Sequence, residues 1–207
     1  MESVEIDTPH GPARARLHRS AGARAALVLG HGAGGGVDAP DLTAATEAAL
    51  DEGVAVALVE QPYRVAGRRS SPAPKQLDPA WIAVVEHLRA GPLAGVDLIT
   101  GGRSAGARVA CRTAGATGAA GVLCLAFPLL PPARRSAKAK QPESRLPELE
   151  AVEVPMLIVQ GERDRFGIPP EGPGREVVLV QGDHSLRSDP EAVAAAVGRW
   201  LRAQLQG

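Results

Sequence analysis

Six continuous apolar segments, each about as long as a β-strand, constrain the fold of this chain more than any other feature of its sequence. They cover residues 25–29, 54–59, 96–100, 122–127, 156–160 and 177–180. Strands that are apolar on both faces are typical of a parallel sheet with helices on either side. Further upstream, segments 2–8 and 13–19 alternate in polarity around a Pro-His-Gly-Pro turn. This pattern predicts an antiparallel hairpin at one edge of the sheet.

Helical patterns lie between these strands. They predict helices over residues 41–52, 79–90, 107–116 and 190–206, with Asp41, Asp78 and Asp189 before or at their starts as N-caps. The alternation predicts an α/β fold with a mostly parallel central sheet, an N-terminal antiparallel hairpin and helices on both faces. Segment 128–150 is rich in Pro, Arg and Lys, and we expect an exposed loop there with one short helix near 146–152. Since such a segment is too short for a large lid, we expect one domain over residues 1–207.

Charge and composition argue against several classes of protein. The chain carries 23 basic and 23 acidic residues, so no overall field attracts nucleic acid or an anionic membrane. No apolar run approaches the roughly 18 residues of a membrane span, and the first residues do not resemble a signal peptide. We expect a cytoplasmic protein with Cys111 and Cys124 as free buried thiols. The sequence has no pattern typical of a metal site, so neither a metal nor a cofactor is expected.

A G-x-S-x-G motif joins one predicted strand to one predicted helix. It is formed by residues 102–106, with Ser104 at its centre. A sharp turn at this place raises the serine hydroxyl above the sheet, and only small neighbours fit the turn. We therefore predict that Ser104 is a catalytic nucleophile. The backbone N–H of Ala105, at the start of the helix, is the expected first donor of an oxyanion hole.

Two further residues fit the roles of acid and base. Asp164 follows the strand at 156–160, and His184 follows the strand at 177–180. Because the carboxyl ends of parallel strands meet at one edge of the sheet, the three side chains can converge there. We expect His184 to accept the proton of Ser104 and Asp164 to orient the imidazole. Asp183 is a rival for the acid, although neighbours in a loop rarely face each other.

The glycine-rich loop at residues 30–36 supports two interpretations. As an H-G-x-G segment after a strand, it predicts a second oxyanion donor at Ala33 or Gly34, with His31 bracing the loop. As G-x-G-x-x-G with Glu60 ending the next strand, it also fits a dinucleotide-binding protein. The second interpretation is weaker, because residues 37–40 separate the last glycine from the next helix. It also leaves the serine, aspartate and histidine unexplained.

Four segments of the chain resemble one branch of the α/β-hydrolase superfamily. They are residues 30–34, 101–104, 159–167 and 182–185. The branch includes the third regulatory subunit of the NSL histone acetyltransferase complex and its testis-expressed relative, and it is broadly similar to dienelactone hydrolases. The likeness runs from about residue 25 to the end and implies an α/β-hydrolase fold with Ser104, Asp164 and His184 as the catalytic residues. Ala105 departs from the bulkier residue of many relatives, which alters the pocket more than the mechanism.

These observations predict a serine hydrolase that cleaves a small carboxylic ester or thioester through an acyl-Ser104 intermediate. We expect the substrate to contact His31, Tyr63, Arg64 and Arg103. Arg64, Arg68, Arg69 and Arg103 would favour an anionic substrate, although solvated surface arginines explain them equally well. Because some members of the branch are thought to act as scaffolds, a catalytically silent interaction protein is the second hypothesis.

Overall fold

A computed structural model describes residues 2–131 and 143–206 of the chain. Within them, eight strands form one sheet in the order β1-β2-β4-β3-β5-β6-β7-β8. The hairpin β1–β2 joins β4 in antiparallel fashion, and all pairs from β4 across to β8 are parallel. The predicted mostly parallel sheet with an N-terminal hairpin is confirmed. The strands are β1 (Glu2–Ile6), β2 (Ala13–His18), β3 (Ala25–Gly30), β4 (Ala55–Glu60), β5 (Asp97–Arg103), β6 (Gly121–Leu125), β7 (Met156–Gly161) and β8 (Arg175–Val180).

Helices cover both faces of this sheet, as predicted. They are α1 (Pro40–Asp51), α2 (Pro62–Val65), α3 (Pro74–Ala90), α4 (Ala105–Thr117), α5 (Leu146–Glu150) and α6 (Pro190–Gln206). Helices α1 and α6 pack together on one face, and α3 and α4 pack on the other. The short helix expected near 146–152 is present as α5. Residues 132–142 of the expected exposed loop 128–150 lie outside the described residues.

No helix in the described part of the chain is both long enough and apolar enough to cross a membrane.

Two of the predicted helix starts are wrong for the same physical reason. Helix α1 begins at Pro40, and Asp41 lies buried within its first turn instead of capping it. Helix α3 begins at Pro74, so Asp78 lies inside the helix, where it pairs with Arg112 at 2.6 Å. In both helices a proline supplies the start, because its fixed φ suits the first helical position, and the aspartate is free to pair elsewhere. The cap predicted at Asp189 is confirmed by its hydrogen bond from the Ala192 amide at 2.9 Å.

Strand β8 is also less covered than its apolar sequence predicted. It is the last strand of the sheet, and its side chains are half-buried or exposed apart from Val180. Leu179 is 47% exposed. Strands β3, β6 and β7 are buried along their whole length, as expected for central strands. Position in the sheet, which a short apolar run does not reveal, accounts for the difference.

Close backbone contacts bring the start of α4 against the sheet. A Cβ atom on Gly106 would lie 2.4 Å from the carbonyl oxygen of Gly30, at the end of β3. A Cβ atom on Gly101 would lie 2.3 Å from the carbonyl oxygen of Leu123. Real Cβ atoms do not approach so closely, so both positions require glycine. Cys111 and Cys124 are buried and free, as predicted.

Candidate active site

Ser104 occupies a strained turn between β5 and α4. Its backbone has φ 51° and ψ −103°, a conformation that costs roughly 1–3 kcal/mol for a residue with a side chain. The turn is held in place because the Ser104 amide donates to the carbonyl of Leu125 at 2.9 Å. The hydroxyl therefore stands at the carboxyl edge of the sheet, as the G-x-S-x-G motif predicts.

Ser104, His184 and Asp164 form a continuous hydrogen-bonded chain. The Ser104 Oγ lies 2.9 Å from His184 Nε2, and His184 Nδ1 lies 2.7 Å from Asp164 Oδ2. An ionised carboxylate only accepts, so Nδ1 carries the proton and Nε2 is left to accept the proton of the hydroxyl. Three loops that are distant in sequence thus bring together the three side chains that the sequence singled out.

The Asp164 carboxylate is fully buried, and hydrogen bonds surround it. The Phe166 amide donates to Oδ1 at 2.9 Å, and the Gln160 side-chain amide donates to Oδ2 at 2.8 Å. The Phe166 ring packs edge-on against the imidazole of His184, with centroids 4.5 Å apart. Sequence reasoning missed Gln160 and Phe166. A polar residue ending an apolar strand was the one available signal for Gln160.

Asp183, the rival acid, turns away from the histidine. Its carboxylate accepts from the amide and the hydroxyl of Ser185, at 2.8 and 2.6 Å. These hydrogen bonds hold the pKa of Asp183 below its ordinary value. Asp164 is the carboxylate that contacts His184.

The glycine-rich loop after β3 lies against the serine turn. His31 is buried in it, with Nδ1 2.8 Å from the carbonyl of Gly32 and Nε2 accepting from the Gln61 amide at 3.1 Å. One nitrogen must therefore donate and the other accept, which fixes a neutral ring. Burial also favours the neutral ring, because it lowers the pKa of His31. The Tyr63 hydroxyl also braces this loop, donating to the carbonyl of Ala33 at 3.1 Å.

Arg103, next to the serine, connects three parts of the site. Its Nε lies 2.9 Å from Oδ2 of the buried Asp41, and one terminal nitrogen donates to the His184 carbonyl at 3.1 Å. The guanidinium also fills the space beside Gly32, where a Cβ would lie 2.7 Å from it. Burial raises the pKa of Asp41, and the positive charge of Arg103 opposes that rise.

A cavity of about 520 Å³ opens in front of Ser104. Ala33, Gly34 and Ala105, the residues expected to donate to an oxyanion, line it together with the serine. As the first residue of α4, Ala105 has an N–H without an acceptor in the helix. The remaining walls are formed by Ser71, Pro72, Pro128, Phe166, His184 and four arginines.

Of the four residues expected to contact substrate, only Arg103 lines this cavity among the described residues. His31, within the loop, and Tyr63, on α2, bind backbone groups instead. Arg64 lies on α2, outside the cavity wall. No group of three or more metal-ligating side chains occurs in residues 2–131 and 143–206.

The structure is similar to several solved α/β hydrolases over nearly its whole length. Est1E from Butyrivibrio proteoclasticus has a TM-score of 0.80 and 17% identity, with 100% of each chain covered. An alpha-beta serine hydrolase homologue from Coxiella burnetii has a TM-score of 0.77 and 18% identity, with 97% of each covered. A dienelactone hydrolase from Anabaena variabilis has a TM-score of 0.72 and 15% identity, with 99% of this chain and 96% of the other covered. At such identities the likeness concerns the fold.

A search among curated proteins gave no match. A family model described as an alpha/beta hydrolase domain matches residues 23–193, which include the serine, the aspartate and the histidine of the site. The glycine-rich loop therefore lies in a hydrolase fold, and α1 begins five residues after Gly35, away from the position of a dinucleotide-binding helix. The chain belongs to the alpha/beta hydrolase family.

Proposed function

We propose that this protein is a serine hydrolase that cleaves a carboxylic ester or thioester through an acyl-Ser104 intermediate. The observation that carries the proposal is the hydrogen-bonded chain from Ser104 through His184 to the buried Asp164. Several proteins of similar fold are described as esterases or serine hydrolases, which supports the same class of reaction.

In the proposed mechanism, Ser104 Oγ attacks the acyl carbon while its proton moves to His184 Nε2. The tetrahedral intermediate collapses, and His184 gives that proton to the departing alcohol or thiol. Water then attacks the acyl-enzyme, again losing a proton to Nε2, and the carboxylic acid leaves as Ser104 recovers its proton. Asp164 stabilises the imidazolium in both steps, because its Oδ2 accepts from Nδ1.

The oxyanion of each intermediate is assigned to backbone donors at the start of α4 and in the glycine-rich loop. Ala105 provides the first N–H, and Ala33 or Gly34 provides the second. The amino end of α4 adds a partial positive charge at the same place. Donors that are fixed before the reaction stabilise the developing charge without reorganisation.

A small-molecule substrate suits the cavity of about 520 Å³. We further propose that the enzyme acts in the cytoplasm, without a nucleic acid or membrane partner. Membership of the branch that contains the NSL complex subunit is part of this hypothesis and rests on the four sequence segments alone. Because some members of that branch are thought to act as scaffolds, a catalytically silent scaffold is the competing function.

Labelling with a fluorophosphonate probe tests the proposal, because the probe reacts only with an activated serine. We expect covalent labelling of the wild type at Ser104 and none of Ser104→Ala, with equal melting temperatures for both. A panel of p-nitrophenyl esters and acyl thioesters then gives kcat/KM for each acyl length. A folded wild type that neither labels nor hydrolyses any of them would favour the scaffold.

A further inference from the structure

The cavity in front of Ser104 has a strongly basic wall. Four arginines line it, namely Arg103, Arg108, Arg145 and Arg165. Neither aspartate nor glutamate occurs among its described lining residues. A cleft lined by charges of one sign raises the local concentration of substrates that carry the opposite charge.

Two of these arginines already have carboxylate partners. Arg103 pairs with the buried Asp41 at 2.9 Å. Arg108 forms a two-pronged pair with Glu148 of α5, one prong of which is 2.9 Å long. Glu148 also lies 3.4 Å from Arg112, so a single carboxylate serves two guanidinium groups. These two arginines are held in place by the protein itself.

Arg145 has no such partner. It is half-buried, and its terminal nitrogen donates to the carbonyl of Pro128 at 2.9 Å. No carboxylate in the described residues lies within ion-pair distance, and residues 132–142 contain neither Asp nor Glu. Burial and the nearby Arg108 lower the pKa of Arg145, and the negative charge of Glu148 opposes part of that shift. A half-buried cation beside another cation is costly, and a bound anion removes that cost.

Arg165 is the second arginine without a described carboxylate partner. Its guanidinium lies 4.8 Å from the centroid of the Phe166 ring, the same ring that packs against His184. Arg165 is exposed, and this ring contact places its guanidinium at the rim of the cavity. Guanidinium groups bind carboxylates and phosphates through paired hydrogen bonds, which fixes an anion in orientation as well as position.

We infer that the substrate carries an anionic group, a carboxylate or a phosphate, in addition to the ester, and that Arg145 and Arg165 bind it. The inference rests on the proposed hydrolase function and adds the substrate class. It replaces the earlier expectation for Arg64, Arg68 and Arg69, since these three do not line the described part of the cavity. The anion would orient the acyl carbon towards Ser104 Oγ without taking part in the reaction.

Matched acetate esters test this assignment. The substrates are 4-acetoxybenzoate for the carboxylate, 4-acetoxyphenyl phosphate for the phosphate and 4-acetoxybenzamide as the neutral analogue. We expect wild-type kcat/KM to be at least about 10-fold higher for one of the anionic esters than for the amide. The anionic ester with the higher kcat/KM shows whether the site prefers a carboxylate or a phosphate.

Variants test whether Arg145 and Arg165, and not the overall charge of the protein, cause the preference for an anionic ester. In Arg145→Gln/Arg165→Gln, we expect kcat/KM to fall about 30-fold for the preferred anionic ester and less than about 3-fold for the amide. Arg24→Gln is the matched control, because Arg24 is exposed and precedes β3 at the opposite edge of the sheet. Arg145→Lys keeps the charge and should retain part of the preference. If loss of the Pro128 contact lowers the melting temperature of Arg145→Gln, the same kcat/KM values are compared in Arg165→Gln and Arg145→Lys instead.

The outcomes distinguish this inference from the proposed function. If Ser104 labels and the neutral ester is hydrolysed, but the wild type does not prefer either anion, the inference is overturned and the hydrolase stands. Equal losses on neutral and anionic esters in the double variant also overturn it. If the folded wild type is not labelled at Ser104 and hydrolyses none of the esters, the proposed hydrolase function and this inference are both wrong.

Discussion

The loops that carry His31 and His184 lie at the same edge of the sheet, yet they hold their histidines in different ways. Both nitrogens of His31 are bound to backbone groups, at Gly32 and Gln61. Both nitrogens of His184 are bound to side chains that can change their protonation, at Ser104 and Asp164. The partners of a histidine, more than its place in the fold, therefore decide whether it can transfer a proton.

The largest difference between the two loops is expected in the reaction rate. His184→Asn should lower kcat by about 10⁴–10⁶-fold, because the serine loses its proton acceptor. His31→Asn should lower kcat by less than about 10-fold but cost about 1–2 kcal/mol of stability, because buried backbone groups lose a partner. Ester hydrolysis and urea unfolding of both variants provide the measurements. A folded His31→Asn protein that is as inactive as His184→Asn would break the comparison.

The choice of Asp164 over Asp183 as the carboxylate that serves His184 offers the second test. Asp164→Asn should lower kcat by about 10⁴-fold, because an amide favours the wrong tautomer of His184. Asp183→Asn is the matched control and should change kcat by less than about 3-fold, because its carboxylate binds Ser185 at the exposed side of the loop. Both rates are measured at saturating ester. A reversed order of the two variants would assign the acid to Asp183.

The His184 loop also rests on a glycine of β7. A Cβ atom on Gly161 would lie 2.4 Å from the carbonyl oxygen of Asp183. Gly161→Ala should therefore cost about 1–3 kcal/mol and lower kcat, since the backbone next to the base must shift. Gly115→Ala in α4 is the control, because nothing lies within 4 Å of its Cβ position, and it should keep or slightly raise stability. An unchanged rate in a destabilised Gly161→Ala protein would show that the loop adapts.

The smallest expected effect concerns stability at acid pH. The pKa of His31 in the folded protein lies below its ordinary value of 6.5, so below pH 6.5 the unfolded chain binds this proton more readily. The contribution of His31 to stability is complete above pH 6.5 and is lost as the pH falls. Between pH 7.5 and 5.5, we expect the wild type to lose up to about 1 kcal/mol more than His31→Asn does. Urea unfolding at both pH values measures this difference, and equal losses would contradict it.

Much of this molecule could be predicted from its sequence, because the informative signals were local. Apolar runs gave the strands, and the glycines around Ser104 indicated the turn between β5 and α4. Asp164 and His184 were singled out by their position after successive strands, and the structure places them in contact with each other. Which strand lies at the edge of the sheet, where a helix starts and which residues line the cavity all depend on contacts between distant residues. Local patterns therefore do not predict them. The pairing of Asp41 with Arg103 and the hydrogen bond from Gln160 to Asp164 could not be found from spacing. Nor could the lack of a carboxylate partner for Arg145 among the described residues.

Two backbone hydrogen bonds anchor the chain on either side of residues 132–142. The Arg145 amide donates to the Leu129 carbonyl at 2.8 Å, and the Leu130 amide donates to the Phe166 carbonyl at 2.8 Å. Because both anchors are made by backbone atoms, the length of chain between them can change without moving either one. In general, doubling the number of residues between two fixed points of a chain costs only about 0.6 kcal/mol of closure entropy. A change in the number of residues between Leu130 and Arg145 can therefore be accommodated at little cost in stability, with both anchors and the turn at Ser104 left as they are.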